Sequence, residues 1–234
     1  MHVILIPGFW LDASSWDDVV PGLEQAGHHP HPLTLPGLES RTADRAGITL
    51  RDHVDAVVAA IDALEPASGQ VALVGHSGGG AIAHAAADAR PDRIARVVYV
   101  DSWPTGDGGV INAGLPAENG EVPLPDWSLF DDEDLVDLND ELRAAFRERA
   151  IPTPEHVTRD AQQLFDERRY DVPATVIACE FPSAKLREWM DQGEPNLQEL
   201  ARLRDVEYVD LPTGHWPQFT KPAELAAVIV KALG

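Results

Sequence analysis

A serine flanked by glycines, Gly75-His76-Ser77-Gly78-Gly79, follows directly on the apolar run Val71-Ala72-Leu73-Val74 and precedes an alanine-rich helical run from Ala81 to Ala89. G-x-S-x-G at a strand-to-helix turn is the pattern of a nucleophile elbow. The turn brings backbone segments so close that Cβ atoms beside the serine would clash, and the serine itself is held in a strained conformation. Its hydroxyl is thereby lifted clear of the sheet. The helix beginning beneath it aims unpaired N–H groups at the same point, where they can stabilise negative charge developing on a substrate oxygen. The plainer reading is a tight βα turn with no chemistry, but the placement between strand and helix points to Ser77 as a nucleophile.

A serine hydroxyl is a weak nucleophile near neutral pH and needs a base within hydrogen-bond reach. Among nine histidines, His215 is the expected base. It lies in Pro212-Thr213-Gly214-His215-Trp216-Pro217, a loop that follows the last strand and could return an imidazole to Ser77. His28, His29 and His31 cluster in sequence, but without a nearby cysteine or second ligand group they read as ordinary histidines rather than a metal site. His76 is expected to point away into packing, and His84, on the elbow helix, to be structural. No metal and no cofactor are expected.

The elements that must position these groups follow from the apolar pattern. Val3-Ile4-Leu5-Ile6 is a continuous apolar run ending at Pro7-Gly8, as for a strand buried on both faces. A helix capped by Ser14 or Ser15 should run to about Ala26, with Pro21 disturbing its middle, and His31 to Leu35 should form the next strand. Thr49-Leu50-Arg51-Asp52 resembles a capping box opening a helix to about Leu64, with Val54, Val57, Val58, Ile61 and Leu64 on one face. The elbow unit and a strand over 96–100 come next. After the interruption described below, strands are expected over 174–179 and 206–211, a helix broken at Gly193 to Pro195 over 183–203, and a closing helix over 222–233 with proline in its first turn. Strands alternating with helices imply an α/β fold, a mostly parallel sheet of about six strands with helices on both faces.

From about 103 to 170 the alternation stops. Prolines, glycines and acidic residues lead into helical stretches over 134–149 and 154–165 without a clear strand. This reads as a helical lid inserted after the strand ending near Val100, in a single domain whose core is 1–102 and 171–234. Trp103, Leu115, Trp127, Leu129 and Phe130 would either line an apolar pocket or form the lid's own core.

With 18 basic against 39 acidic residues, the net charge is −21. That argues against nucleic acid or an anionic membrane as partner. One cysteine, Cys179, excludes an intramolecular disulfide and fits a reducing compartment. The N-terminal apolar run is too short for a signal peptide, and the protein is expected to be soluble and cytoplasmic.

Gly75-His76-Ser77-Gly78-Gly79, Gly214-His215-Trp216-Pro217 and the opening Pro7-Gly8-Phe9-Trp10 through Trp16 together resemble an α/β-hydrolase. The opening is similar to the methylesterase and hydroxynitrile lyase branch, although Pro7 replaces the usual histidine of its first motif. The resemblance covers nearly the whole chain and is weakest in the insertion. It implies an oxyanion hole made by the backbone N–H groups of Phe9 and Gly78. The triad acid departs from the common pattern, in which it lies three residues beyond a glycine after the next-to-last strand. Here Cys179 matches that glycine and Pro182 the acid, and proline cannot orient an imidazole. Asp101, at the end of Val97-Val98-Tyr99-Val100, has the spacing from Ser77 that a minority of the family uses. Asp101 is therefore favoured, with Glu180 as the alternative acid, and this assignment expects Glu180 to lie farther from His215.

These residues imply a serine hydrolase acting on a small-molecule carboxylic ester or a lactone. The alternatives are C–C bond cleavage on the same scaffold, as in hydroxynitrile lyases, and a non-catalytic small-molecule receptor.

Overall fold

The computed structural model describes residues 1–65 and 69–234. Six strands form one fully parallel sheet, in the spatial order His29–Pro32, His2–Ile6, Val71–His76, Ile94–Val100, Ala174–Ala178 and Val206–Asp210. In chain order the elements of its first half are β1 (His2–Ile6), α1 (Val20–Gln25), β2 (His29–Pro32), α2 (Leu50–Ala63), β3 (Val71–His76), α3 (Gly78–Ala89) and β4 (Ile94–Val100). Within the insertion lie β5 (Glu121–Val122), α4 (Asp140–Arg149), β6 (Thr153–Pro154) and α5 (Glu155–Arg159). The sheet then resumes with β7 (Ala174–Ala178), α6 (Ser183–Asp191), β8 (Val206–Asp210), α7 (Pro217–Thr220) and α8 (Pro222–Leu233).

Side-chain alternation along each strand divides the core in two. Ile4, Ile6, Leu73, Val97, Tyr99 and Val176 face α2, α3 and the insertion. Val3, Leu5, Val74, Val98, Val100 and Ile177 face α1 and α8, where they meet Leu23, Leu225 and Ile229. Both faces are covered, so the central strands are apolar throughout. Thr49 and Asp52 form the expected reciprocal capping box at the head of α2. Among the described residues no helix is long and apolar enough to cross a membrane.

Several local expectations shift for identifiable reasons. The first helix is two pieces, because Pro21 has no N–H to give an interior turn and is placed instead in the first turn of α1. A separate 3₁₀ turn over Ala13–Trp16 precedes it, capped by Asp12 rather than by Ser14 or Ser15. β2 begins at His29, two residues early; it is an edge strand, so Pro30 and Pro32 are tolerated. The insertion does contain strands, an antiparallel pair in which Val122 faces Thr153. Its helices are shorter than expected: α4 begins only after Asn139, whose side chain caps the Leu142 N–H at 2.9 Å. The carbonyls of Asp134 and Val136 instead accept N–H groups from His215 and Gly214, so they are committed to another loop rather than to a helical ladder. After α5, Gln162 bonds outward to Gly108 and Gly109 backbone and to the Ala81 carbonyl. Between α6 and β8, where the expected helix would continue to 203, the chain makes two isolated 3₁₀ turns, Pro195–Leu197 and Leu200–Arg202.

β1 and β3 are neighbours whose chains leave in opposite directions, β1 toward β2 and β3 toward β4, so a crevice opens between their carboxyl ends. There the first turn of α3 passes directly beneath β1. A Cβ on Gly79 would lie 2.5 Å from the Pro7 carbonyl oxygen and 2.6 Å from that of Ile6. Both obstacles are backbone and cannot swing aside. Gly79→Ala should therefore destabilise the protein by about 1–3 kcal/mol or more. Denaturant unfolding that left the midpoint unchanged would show that this passage is looser than described.

Candidate active site

Five successive strands of the sheet each deliver one residue to the crevice. Phe9 follows β1, Ser77 follows β3, Asp101 follows β4, Glu180 lies two residues past β7, and His215 follows β8 in the last long loop. Ser77 has φ 51°, the left-handed region that a side chain rarely adopts, and its N–H is fixed to the Val100 carbonyl at 3.1 Å. A Cβ on Gly75 would come within 2.4 Å of the Gly79 carbonyl oxygen, so the tight return of the chain after Ser77 requires glycine there. Asp101 is also left-handed, with φ 44°, a conformation aspartate tolerates better than most residues. Its N–H donates to the Ile177 carbonyl at 2.8 Å, which fixes the end of β4 against β7.

These turns bring the side chains together. His215 Nε2 lies 2.8 Å from Ser77 Oγ and Nδ1 lies 2.7 Å from Asp101 Oδ2, so the hydroxyl can donate to one ring nitrogen while the other donates to the carboxylate. Glu180 is not farther away, as the assignment of Asp101 expected. Its Oε1 lies 2.5 Å from Nδ1, so both candidate acids reach the same nitrogen. The reason is local: the Glu180 N–H donates to Asp101 Oδ1 at 3.2 Å, which folds the end of β7 toward β4. Asp101 alone has hydrogen-bond geometry to the ring, since Glu180 Oε1 makes no hydrogen bond among the described residues.

Burial works against an imidazolium at His215, but its bond to Asp101 and the negative charge of the two neighbouring carboxyls outweigh it and push its pKa up to about 10. Burial also opposes ionisation of Asp101, yet His215 and the N–H of Cys179 hold that carboxyl below the usual range. Phe9 and Gly78, the expected oxyanion donors, both line the cleft beside Ser77. Among the described residues neither N–H is taken by another group.

His76 does more than fill space. Its Nε2 donates to the His215 carbonyl at 2.6 Å while Gln218 donates to its Nδ1 at 3.2 Å, and complete burial, reinforced by the charge of His215, lowers its pKa to about 3. A neutral imidazole thus holds the backbone of the candidate base. No motif in the sequence marks Gln218. His84, on α3, is buried between the Tyr99 hydroxyl at 2.9 Å and Glu199 at 3.0 Å, as a structural residue would be. His31 meets His2 at 2.8 Å at the opposite end of the strands from Ser77, with the His29 ring 5.2 Å from that of His2. Among the described residues, the only three His, Cys, Asp or Glu side chains close enough together to surround an ion are Asp101, Glu180 and His215.

The insertion closes the crevice and braces it. Trp103, Leu115, Leu129 and Phe130 line a cleft of about 450 Å³ above Ser77, whereas Trp127 packs edge-on against Trp216 and Phe146. The two readings of these residues are thus divided between them. Trp10, left-handed with φ 65°, is pinned by three bonds to the insertion: its N–H to Thr153 Oγ1, its indole N–H to the Val122 carbonyl, and its carbonyl from Ile151. On the other side Asp134 and Val136 hold the loop of His215. Of the residues lining the cleft, three are acidic, Asp101, Asp134 and Glu180, and none is lysine or arginine.

Comparisons with known proteins agree with this architecture. Residues 3–228 match the model of the alpha/beta hydrolase family. A pyrethroid hydrolase from Sphingobium wenxiniae is 27% identical over 97% of this chain and 85% of its own length. The lipase LipV of Mycobacterium tuberculosis is 31% identical over 89% of this chain and 86% of its own. An extracellular alpha/beta-hydrolase from a Paenibacillus species superposes with a TM-score of 0.77 at 23% identity, over 99% of this chain and 98% of its own. With the family model matched from the first strand to the last helix, and the sheet and elbow arranged as described, the chain belongs to the alpha/beta hydrolase family.

Proposed function

We propose that this protein is a serine hydrolase that cleaves a small or medium carboxylic ester or lactone through an acyl-enzyme on Ser77. The observation that carries the reading is the continuous path from Ser77 Oγ to His215 Nε2 at 2.8 Å and from Nδ1 to Asp101 at 2.7 Å, beside two unengaged N–H groups. Relatives named as a pyrethroid hydrolase and a lipase support ester cleavage.

In this reading His215 accepts the Ser77 proton as the oxygen bonds to the acyl carbon, and the N–H groups of Phe9 and Gly78 receive the oxyanion. Collapse of the tetrahedral adduct breaks the ester C–O bond, and His215 returns its proton to the departing alkoxide. Water then repeats the sequence against the acyl-enzyme, its proton passing to His215 and back to Ser77. Ester, water and these groups account for every atom. Asp101 keeps Nδ1–H aligned and stabilises the imidazolium by its charge. C–C cleavage that expels an anion would be served by a lysine or arginine in the cleft, and the lining residues include neither. The same lining favours uncharged esters and repels the carboxylate product.

Ser77→Ala should abolish hydrolysis across a panel of uncharged p-nitrophenyl esters and lactones while leaving the fold intact, with a loss of about 10⁴-fold or more. Most of the activity surviving would remove Ser77 as nucleophile. Asp101→Asn should lower kcat by roughly 10⁴-fold, because an amide permits the wrong tautomer and carries no charge. A loss of only a few fold would shift the orienting role elsewhere.

The base must be neutral to accept a proton, and its pKa is raised, so kcat/KM should climb as pH increases from about 7 to about 9 rather than level off near neutrality. A profile already flat over that range would contradict the role given to His215.

A further inference from the structure

His215 Nδ1 has one hydrogen to give, and two carboxyl groups are placed against it. Asp101 Oδ2 receives it at 2.7 Å, while Glu180 Oε1 lies 2.5 Å from the same nitrogen with no hydrogen bond of its own. The two groups are not equivalent. Asp101 Oδ1 accepts the N–H of Cys179 at 2.9 Å and of Glu180 at 3.2 Å, so its backbone surroundings are built for a negative charge. Among the described residues Glu180 Oε1 has no such donor, and only 12% of the side chain is exposed. Oxygens of the two carboxyls lie within 4.8 Å of one another, and two ionised carboxylates that close repel strongly, as in other carboxylate pairs that share a site. A metal ion between them does not fit as the remedy, since zinc bound at about 2.0–2.2 Å from each ligand would hold N and O roughly 3 Å apart or more. A proton does fit.

We infer that Glu180 is protonated in the resting site and shares that proton with Asp101, so that the pair presents a single negative charge to His215. This rests on the proposed hydrolase, in which Glu180 is a positioning residue. The proton lets Glu180 act as a donor to Asp101, which keeps Asp101 aligned with Nδ1. It also keeps the imidazolium from being over-stabilised, because a second full charge beside the ring would hold its proton and withhold the base. Transfer of the Ser77 proton then gives one imidazolium opposite one carboxylate.

The other groups around Glu180 leave the charge of the pair unaltered. His76, beneath the elbow, is neutral, and burial pushes the Cys179 thiol up, so it is un-ionised. Lys221, ahead of α8, is directed to the Pro212 carbonyl and to Asp137. Consistent with the geometry, burial, assisted by the charge of Asp101, pushes the Glu180 carboxyl up to about 8.

The proton can be read without turnover. In the Ser77→Ala protein, proton NMR of the His215 ring across the alkaline range should show two linked ionisations, and addition of Glu180→Gln should leave one. Two steps persisting in the Gln variant, or one step in its parent, would overturn the inference. In the enzyme with Ser77 intact, Glu180→Gln should retain more kcat than Glu180→Ala, because the amide N–H can donate to Asp101 as the protonated carboxyl does. Gln falling to the level of Ala would mean that Glu180 works ionised, which also overturns it. If the intact protein turns over no ester at all, the hydrolase reading fails, while the NMR titration still decides where the proton resides.

Discussion

The backbone crossing beneath Ser77 is the constraint on which the rest of the site depends. The first turn of α3 runs so near the carbonyls of Ile6 and Pro7 that only glycine fits at position 79, and the return of the chain at Gly75 is as tight. This forces Ser77 into a left-handed conformation and exposes its hydroxyl between the ends of β1 and β3. The strain is sustained by a fully buried parallel sheet on either side of the turn. Every other group of the site has to come to Ser77, because Ser77 cannot move to meet it.

The groups that come to it do so through backbone bonds more than through side-chain packing. Asp101 is set by its bond to β7, Glu180 by its N–H to Asp101, and His215 by carbonyl and N–H contacts to His76 and Asp134. An arrangement of three ionisable groups within a few ångströms is electrostatically unfavourable unless each is held. Here backbone donors select which carboxyl bears charge. Trp216, buried against Trp127, Phe130 and Phe146, keeps the loop of His215 from turning outward.

Much of this was legible in the chain. Val71 to Gly80 announces strand, turn and helix, because glycine spacing and an apolar run are local signals, and Thr49 with Asp52 announces its cap in the same way. Gly214-His215 after the last strand was enough to select one histidine among nine. The placement of Glu180 beside Asp101 was not legible. Both carboxylates follow apolar strands, and only the pairing of β4 with β7 brings their ends together. The pairing of Val122 with Thr153 leaves no mark in the sequence, because a two-residue strand has no periodicity to read. Asp134 and Val136 read as helix because their side chains suit one, whereas their carbonyls are claimed by a loop eighty residues away in sequence. His76 was expected to be passive, and the polar partner that fixes its tautomer, Gln218, lies on the far side of the chain.

The insertion is bonded to the site on two sides, to Trp10 ahead of the elbow and to Gly214 and His215 beyond the last strand. In many enzymes a cap is a detachable module, and specificity is altered by grafting another in its place. Here such a graft would remove the partners of the loop that carries Phe9 and of the loop that carries His215 together with the old pocket walls. A transplanted cap must therefore reproduce carbonyls at the positions of Asp134 and Val136 and a hydroxyl at that of Thr153 before its own lining can matter. Variation confined to Trp103, Leu115, Leu129 and Phe130 leaves that scaffold standing. Substrate range in this protein is thus more readily changed by repainting the walls than by replacing the roof.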